Sequence, residues 1–119
     1  DRDWVRVYPS LGHTNYLALM ELADVVLGNS SSGLYEAPAV GTPTVNIGGR
    51  QGGRLTANSV FNVSPERAAI VEAIVKALTF DRASARSPYG DGHASENIIA
   101  AIKAAPSREE LIQKRFASL

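Results

Sequence analysis

Apolar and polar positions along the chain switch between a short, strand-like rhythm and a helical one. Residues 5–8, bounded by Pro9, predict a short strand. In residues 15–23, Tyr16, Leu17, Leu19, Met20 and Ala23 recur on helical spacing. Residues 24–28 (Asp-Val-Val-Leu-Gly) form a continuous apolar run closed by Gly and Asn, the pattern of a strand buried on both faces. Residues 32–40 predict a short helix ended by Gly41, and residues 43–47 return to strand. A loop with Gly48, Gly49, Gly52 and Gly53 follows, and residues 59–63 predict another strand. Ser64-Pro65 should then open a helix, as cap residue and first helical position. Its expected apolar stripe is Ile70, Ile74 and Leu78 with Val71 and Val75, while Glu66, Glu72 and Lys76 face water. Residues 81–93 form a polar connection with Gly and Pro, and residues 94–105 predict a helix bearing Ile98, Ile99 and Ile102. Ser107-Arg108-Glu109-Glu110 fits a capping box, so a last helix should start there with Leu111, Ile112 and Phe116 as its apolar face.

Alternation of β-branched strands with helices implies an α/β fold: a parallel sheet with helices on both faces. A sheet of three or four such strands has an exposed edge, which further sheet normally covers. The chain opens on Asp1-Arg2-Asp3-Trp4 without an initiator Met. Residues 1–119 are therefore expected to be an incomplete domain, completed by residues upstream. No internal repeat or low-complexity tract interrupts the pattern.

Composition narrows the chemistry. Apolar residues make up 45% and charged residues 20% of the chain, as in soluble globular domains. Twelve basic residues balance twelve acidic ones, so no net field favours nucleic acid or an anionic membrane, and neither is expected as a partner. The absence of cysteine removes disulfides and thiolate metal sites. His13 and His93 are far apart and fit no metal-ligand spacing. No apolar run approaches the roughly 20 residues that span a bilayer, and no signal-peptide pattern is present, so a cytoplasmic location is expected.

In an open α/β sheet, ligands bind beyond the carboxyl ends of the strands. The turn after residues 24–28 is Asn29-Ser30-Ser31-Ser32-Gly33, leading straight into a helix. Small residues let a ligand approach the backbone, and amides at the helix start with three hydroxyls suit a phosphate. The alternative is that Asn and Ser only cap the helix. Glu36 lies four residues after Ser32, on the same helical face. There a carboxylate can accept hydrogen bonds from both hydroxyls of a ribose, although a solvated glutamate fits the spacing too. Arg50, in the glycine loop, can offer a fork of donors to phosphate oxygens. Arg54 can do the same or tie down the loop. Ser10-Leu11-Gly12, past the first predicted strand, places backbone polar groups and the Leu11 side chain where the edge of a base could lie.

These segments resemble the hydrolysing UDP-N-acetylglucosamine 2-epimerases. The resemblance is carried by Ser10-Leu11-Gly12 with Asn15-Tyr16-Leu17, and by Gly28 to Gly33 with Glu36-Ala37-Pro38. It continues through Gly41-Thr42-Pro43-Thr44-Val45-Asn46-Ile47-Gly48, Arg50-Gln51 with Gly53-Arg54, and Tyr89-Gly90-Asp91-Gly92 with Ala94-Ser95. It implies two Rossmann-like domains in a GT-B arrangement, of which this chain is part of the C-terminal one, the catalytic N-terminal domain being absent. Carried over by position, Ser30 and Ser31 would contact the diphosphate, with Ser32 and Gly33 completing the turn. Glu36 would bind the ribose hydroxyls, Arg50 the phosphates, and Leu11 the uracil. The resemblance implies a UDP-sugar substrate (UDP-N-acetylglucosamine or a diacetamido analogue) and a homodimer as the full-length protein. It implies no metal or redox cofactor. The family's acid–base residues lie upstream, so no catalytic residue is assigned here and the isolated chain is expected to be inactive. Asp91 invites reading as a base, but residues 89–95 better fit a tight turn and helix cap.

Two other readings share part of this pattern. A GT-B glycosyltransferase also uses a Gly/Ser-rich turn, a helical glutamate on the ribose and a Gly-x-Pro step into a strand like Gly41-Thr42-Pro43. A non-enzymatic nucleotide-binding module would function as these 119 residues alone.

Overall fold

The computed structural model describes residues 2–113, so Phe116 lies outside the described residues. The chain forms two compact units, Asp1–Tyr89 and Gly90–Leu119.

The first unit is built on a three-stranded parallel sheet in the order β1 (Val26–Gly28), β2 (Thr44–Ile47), β3 (Val60–Val63). Val26 pairs with Thr44 and Gly28 with Asn46; on the other side of β2, Thr44 pairs with Val60 and Ile47 with Val63. Helix α1 (Gly12–Leu22) precedes β1. Helix α2 (Ser32–Tyr35) and a 3-10 turn (Pro38–Val40) connect β1 to β2, and α3 (Arg67–Leu78) follows β3.

Successive residues of a strand face opposite sides of the sheet, and β2 shows what each side holds. Val45 is fully buried with Ala73 and Ala77 of α3, flanked by Val25, Ile47, Phe61, Val63 and Ile74. Burying a side chain such as Val45 contributes about 1.5–3 kcal/mol. Thr44 points the other way, to α2, where a Cβ on Gly33 would lie 2.7 Å from the Thr44 Cγ2. Helices therefore cover both faces, as the alternation predicts.

The C-terminal end of α1 is held by Arg82, from the connection after α3. Its guanidinium donates to Glu21 O at 2.6 Å, to Ala23 O at 3.1 Å and to Thr42 Oγ1 at 2.8 Å. Thr42 Oγ1 in turn donates to Met20 O at 2.9 Å. A cation on these carbonyls satisfies acceptors that the helix leaves open and opposes the negative end of its dipole. Gly41 ends the 3-10 turn at φ 75°, where a Cβ would also lie 3.2 Å from Arg82 O.

The structure corrects several local expectations. Residues 5–8 are not in the sheet, and Val7 is 85% exposed. An apolar run becomes a strand only where a neighbour supplies a ladder, and β1 pairs with β2 alone in this sheet. Strand β1 is shorter than predicted and not buried on both faces: Leu27 is 53% exposed. Leu27 shares its face with its register partner Val45, but α3 lies over β2 and β3 and leaves the β1 edge open. Helix α3 starts at Arg67, with Glu66 rather than Ser64 at its cap position and no side-chain cap bond. Its buried face is Ala73 and Ala77, with Ile70 and Ile74 half-buried, while Val71, Val75 and Leu78 are exposed. Small side chains let the helix approach Val45 closely, so the sheet side takes the alanines rather than the bulkier stripe.

The second unit holds α4 (Ala94–Lys103) and α5 (Arg108–Ile112), and its described residues are exposed, including Ile98, Ile99, Ile102, Leu111 and Ile112. The predicted capping box is present. Ser107 Oγ accepts from the Glu110 amide at 3.3 Å, and Glu110 Oε2 accepts from the Ser107 amide at 3.0 Å. Among the described residues no helix is long and apolar enough to cross a membrane.

Candidate functional site

Because the strands are parallel, the turn after β1 and the loop after β2 leave the sheet at the same end. The turn is Asn29-Ser30-Ser31, and two residues from the loop grip its backbone. Arg50 Nη1 donates to Asn29 O at 2.9 Å, and Gln51 Nε2 donates to the same oxygen at 2.7 Å. Gln51 is buried, 4% exposed, and acts as the internal strut of the pair. Arg50 is exposed, and with one donor committed its guanidinium keeps others for an incoming anion.

The serines divide their roles. Ser32 Oγ shares a hydrogen bond of 2.6 Å with Tyr16 Oη of α1 and donates to Ser30 Oγ at 3.3 Å. Ser30 Oγ also accepts from the Ser32 amide at 3.4 Å, and Ser30 O accepts from the Gly33 amide at 3.2 Å. Part of the expected amide cradle is thus spent inside the turn. Ser31 occupies the cap position of α2 without a side-chain cap bond, and its hydroxyl has no hydrogen-bond partner among the described residues. The side-chain bond to the first amide of α2 thus comes from Ser30 rather than from Ser31. Gly33 is buried, and the side on which it lacks a Cβ faces Thr44, so this glycine serves helix–sheet contact.

Glu36 closes α2, half-buried, one turn beyond Ser32. Its carboxylate makes no hydrogen bond or ion pair among the described residues. Leu11, also half-buried, immediately precedes α1 and lines a groove of ≈ 490 Å³ with Tyr8, Pro9, Ser10, Gly12, His13 and Tyr16. Tyr16 lines this groove and its hydroxyl bonds Ser32, so the groove and the serine chain share one residue.

A second cluster flanks the loop. Arg54 lies 5.7 Å over the Tyr35 ring, with Nη1 3.5 Å from Tyr35 Oη. The Tyr35 and Tyr89 rings meet at 4.3 Å and a tilt of 50°. Tyr89 Oη donates to Leu55 O at 2.7 Å. Desolvation, with the neighbouring Tyr35 hydroxyl, raises the Tyr89 phenol above its ordinary value, so it stays protonated and a donor at neutral pH. In the second unit, Asp91 Oδ1 accepts from the His93 amide at 3.1 Å, a tight turn before α4 as the spacing predicts. Among the described residues no group of three His, Cys, Asp or Glu is placed to hold a metal ion.

Of the residues the sequence names, Ser30, Ser31, Ser32 and Gly33 share the β1–α2 turn whose Asn29 carbonyl Arg50 holds, Glu36 follows Ser32 along the helix backbone, and Leu11 lines a groove with Tyr16, which bonds Ser32. The structure adds Tyr16, Gln51, Tyr35 and Tyr89. In sequence, Tyr16 and Gln51 carry the family resemblance, but neither is given a place in the site. The signal for Gln51 was its place beside Arg50 in the Arg-Gln step.

Fold and site together define an α/β protein of Rossmann-like type with a polar site at the carboxyl ends of its strands. The profile of the UDP-N-acetylglucosamine 2-epimerase family matches residues 2–103, and the chain belongs to that family. It is 32% identical over 114 residues to the UDP-N,N'-diacetylbacillosamine 2-epimerase (hydrolyzing) of Legionella pneumophila, a match covering 96% of this chain and 30% of that protein. It is 30% identical over 115 residues to the UDP-N-acetylglucosamine 2-epimerase of Neisseria meningitidis, covering 94% of this chain and 30% of the relative. A shorter stretch, 57 residues or 48% of this chain, is 44% identical to 15% of the GDP/UDP-N,N'-diacetylbacillosamine 2-epimerase (hydrolyzing) of Campylobacter jejuni. The chain thus spans under a third of the length of these relatives.

Proposed function

We propose that this chain is the UDP-binding part of a hydrolysing UDP-N-acetylglucosamine 2-epimerase. The observation that carries the reading is Glu36: a half-buried carboxylate without a partner among the described residues, one turn past linked hydroxyls in a turn whose Asn29 carbonyl Arg50 holds. A carboxylate so placed accepts from paired hydroxyls, and a guanidinium with spare donors takes phosphate oxygens. Ser30, Ser31, Ser32 and Arg50 bind the diphosphate, Gly33 lets the turn sit tightly on the sheet, Glu36 holds the ribose, and Leu11 lies against the uracil in the adjoining groove.

In the full-length protein the reaction begins with removal of the C2 proton of the sugar. The C1–O bond to UDP breaks and UDP departs with the bonding pair, leaving a glycal with a C1–C2 double bond. Water then adds, hydroxyl to C1 and proton to the opposite face of C2, giving N-acetylmannosamine. Arg50 and the serine hydroxyls stabilise the charge that grows on the departing diphosphate. The acid–base groups are supplied by the N-terminal domain, so this chain alone gives no turnover. The full-length protein acts in the cytoplasm as a homodimer. The names of the Legionella and Campylobacter relatives favour a second sugar, the N,N'-diacetylbacillosamine type, on the same nucleotide.

Calorimetric titration of the full-length protein tests the nucleotide site. UDP is expected to bind more tightly than UMP, and UMP more tightly than uridine, because each phosphate adds contacts with Arg50 and the serine turn. Equal affinity for uridine and UDP would contradict the phosphate assignment.

A further inference from the structure

The loop that carries Arg50 is hard to hold still. Gly48, Gly49, Gly52 and Gly53 make it conformationally permissive, and Gly48 and Gly53 sit at φ 76° and 80°. Its first half is anchored by Arg50 and Gln51 on the Asn29 carbonyl. Residues 52–56 are all exposed, and Leu55 is 65% exposed, so no apolar burial fixes the second half. Two bonds within the loop, Gly52 N to Gly49 O and Arg54 N to Gln51 O, tie it only to itself. Among the described residues, beyond Arg54 on Tyr35, the side-chain tie from residues 52–56 to the rest of the unit is the Tyr89 phenol on Leu55 O, at 2.7 Å.

Tyr89 reaches further than the loop. Its ring lies against Tyr35, which belongs to α2 and directly precedes Glu36. One side chain therefore touches both the loop that presents Arg50 and the helix that presents Glu36. We propose that Tyr89 is a positioning residue for nucleotide binding: through Leu55 and Tyr35 it sets the placement of Arg50 relative to Glu36. This inference rests on the nucleotide reading above. Tyr89 touches no ligand in it, and its effect passes through Arg50, so it falls on the phosphate end of the nucleotide.

The test uses Tyr89→Phe in the full-length protein, which keeps the ring on Tyr35 and deletes only the hydroxyl. UDP affinity is expected to fall about fivefold to tenfold, the worth of one lost hydrogen bond, with uridine affinity unchanged. In an Arg50→Ala background the same substitution should leave UDP affinity unaltered, because its route to the ligand is already gone. Equal UDP affinity of wild type and Tyr89→Phe overturns the proposal. So does an equal loss for uridine and UDP, or an undiminished loss in the Arg50→Ala background, since either marks a general structural effect. If wild type binds UDP, each of these failures leaves the nucleotide reading standing. A wild-type protein that binds neither UDP nor uridine removes that reading and this one together.

Discussion

Gly33 and Glu36 stand less than one helical turn apart, and different physics constrains each. At Gly33 the constraint is space: an added Cβ meets Thr44 Cγ2 at 2.7 Å, inside van der Waals contact, and Thr44 is buried in the central strand. Gly33→Ala should destabilise the full-length protein by about 1–3 kcal/mol, as overfilling a close-packed site does. Thr44→Ser deletes the offending methyl, so the double variant should recover most of that loss in urea unfolding; an unrescued double variant would show that the clash is not the cause. At Glu36 the constraint is chemical. If Glu36 holds the ribose as proposed, Glu36→Ala should weaken UDP binding by about 1–3 kcal/mol, because the ribose hydroxyls lose their acceptor. Calorimetry giving the same UDP affinity as wild type would remove Glu36 from the site. Both residues are visible in the sequence, Glu36 through its spacing from Ser32 and Gly33 through the Ser-Ser-Ser-Gly turn. The use of Gly33 to seat α2 on Thr44 was not visible, because it depends on a register between β1 and β2 that no local pattern encodes.

At the scale of elements, the strand–helix alternation predicts the parallel sheet and its two covered faces, and the capping box places α5 correctly. The misses share a cause. Periodicity reports which side chains are apolar, whereas burial depends on which partner arrives. Residues 5–8 read as a strand and Leu27 as part of a buried one, yet all are exposed, and the buried face of α3 is its alanines. Arg82 is the converse case, a polar loop residue that turns out to tie elements together. Its three bonds bring the C-terminal end of α1, the approach to β2 and the connection after α3 to one point. Arg82→Ala strips acceptors at Glu21, Ala23 and Thr42 of a charged donor and should cost roughly 1.5–3 kcal/mol. Denaturant unfolding checks it, and a cost within ±0.5 kcal/mol, the usual range for a surface substitution, would contradict the anchoring role.

At the scale of the whole molecule, a net charge of zero means that any anion site has to be built locally. The proposed reading puts one at the β1–α2 turn, where Arg50 donates to the Asn29 carbonyl. The chain spans under a third of the length of the relatives it matches, and on the proposed reading its part in the reaction is to hold the leaving group. The central claim is that the full-length protein eliminates UDP and hydrates the product. It is tested most directly by a proton NMR time course with UDP-N-acetylglucosamine in D2O, repeated with the diacetamido analogue. The account predicts UDP together with free N-acetylmannosamine, or its diacetamido counterpart, carrying deuterium at C2. A nucleotide-linked epimer at equilibrium with its substrate, or both sugars left unchanged, would contradict it.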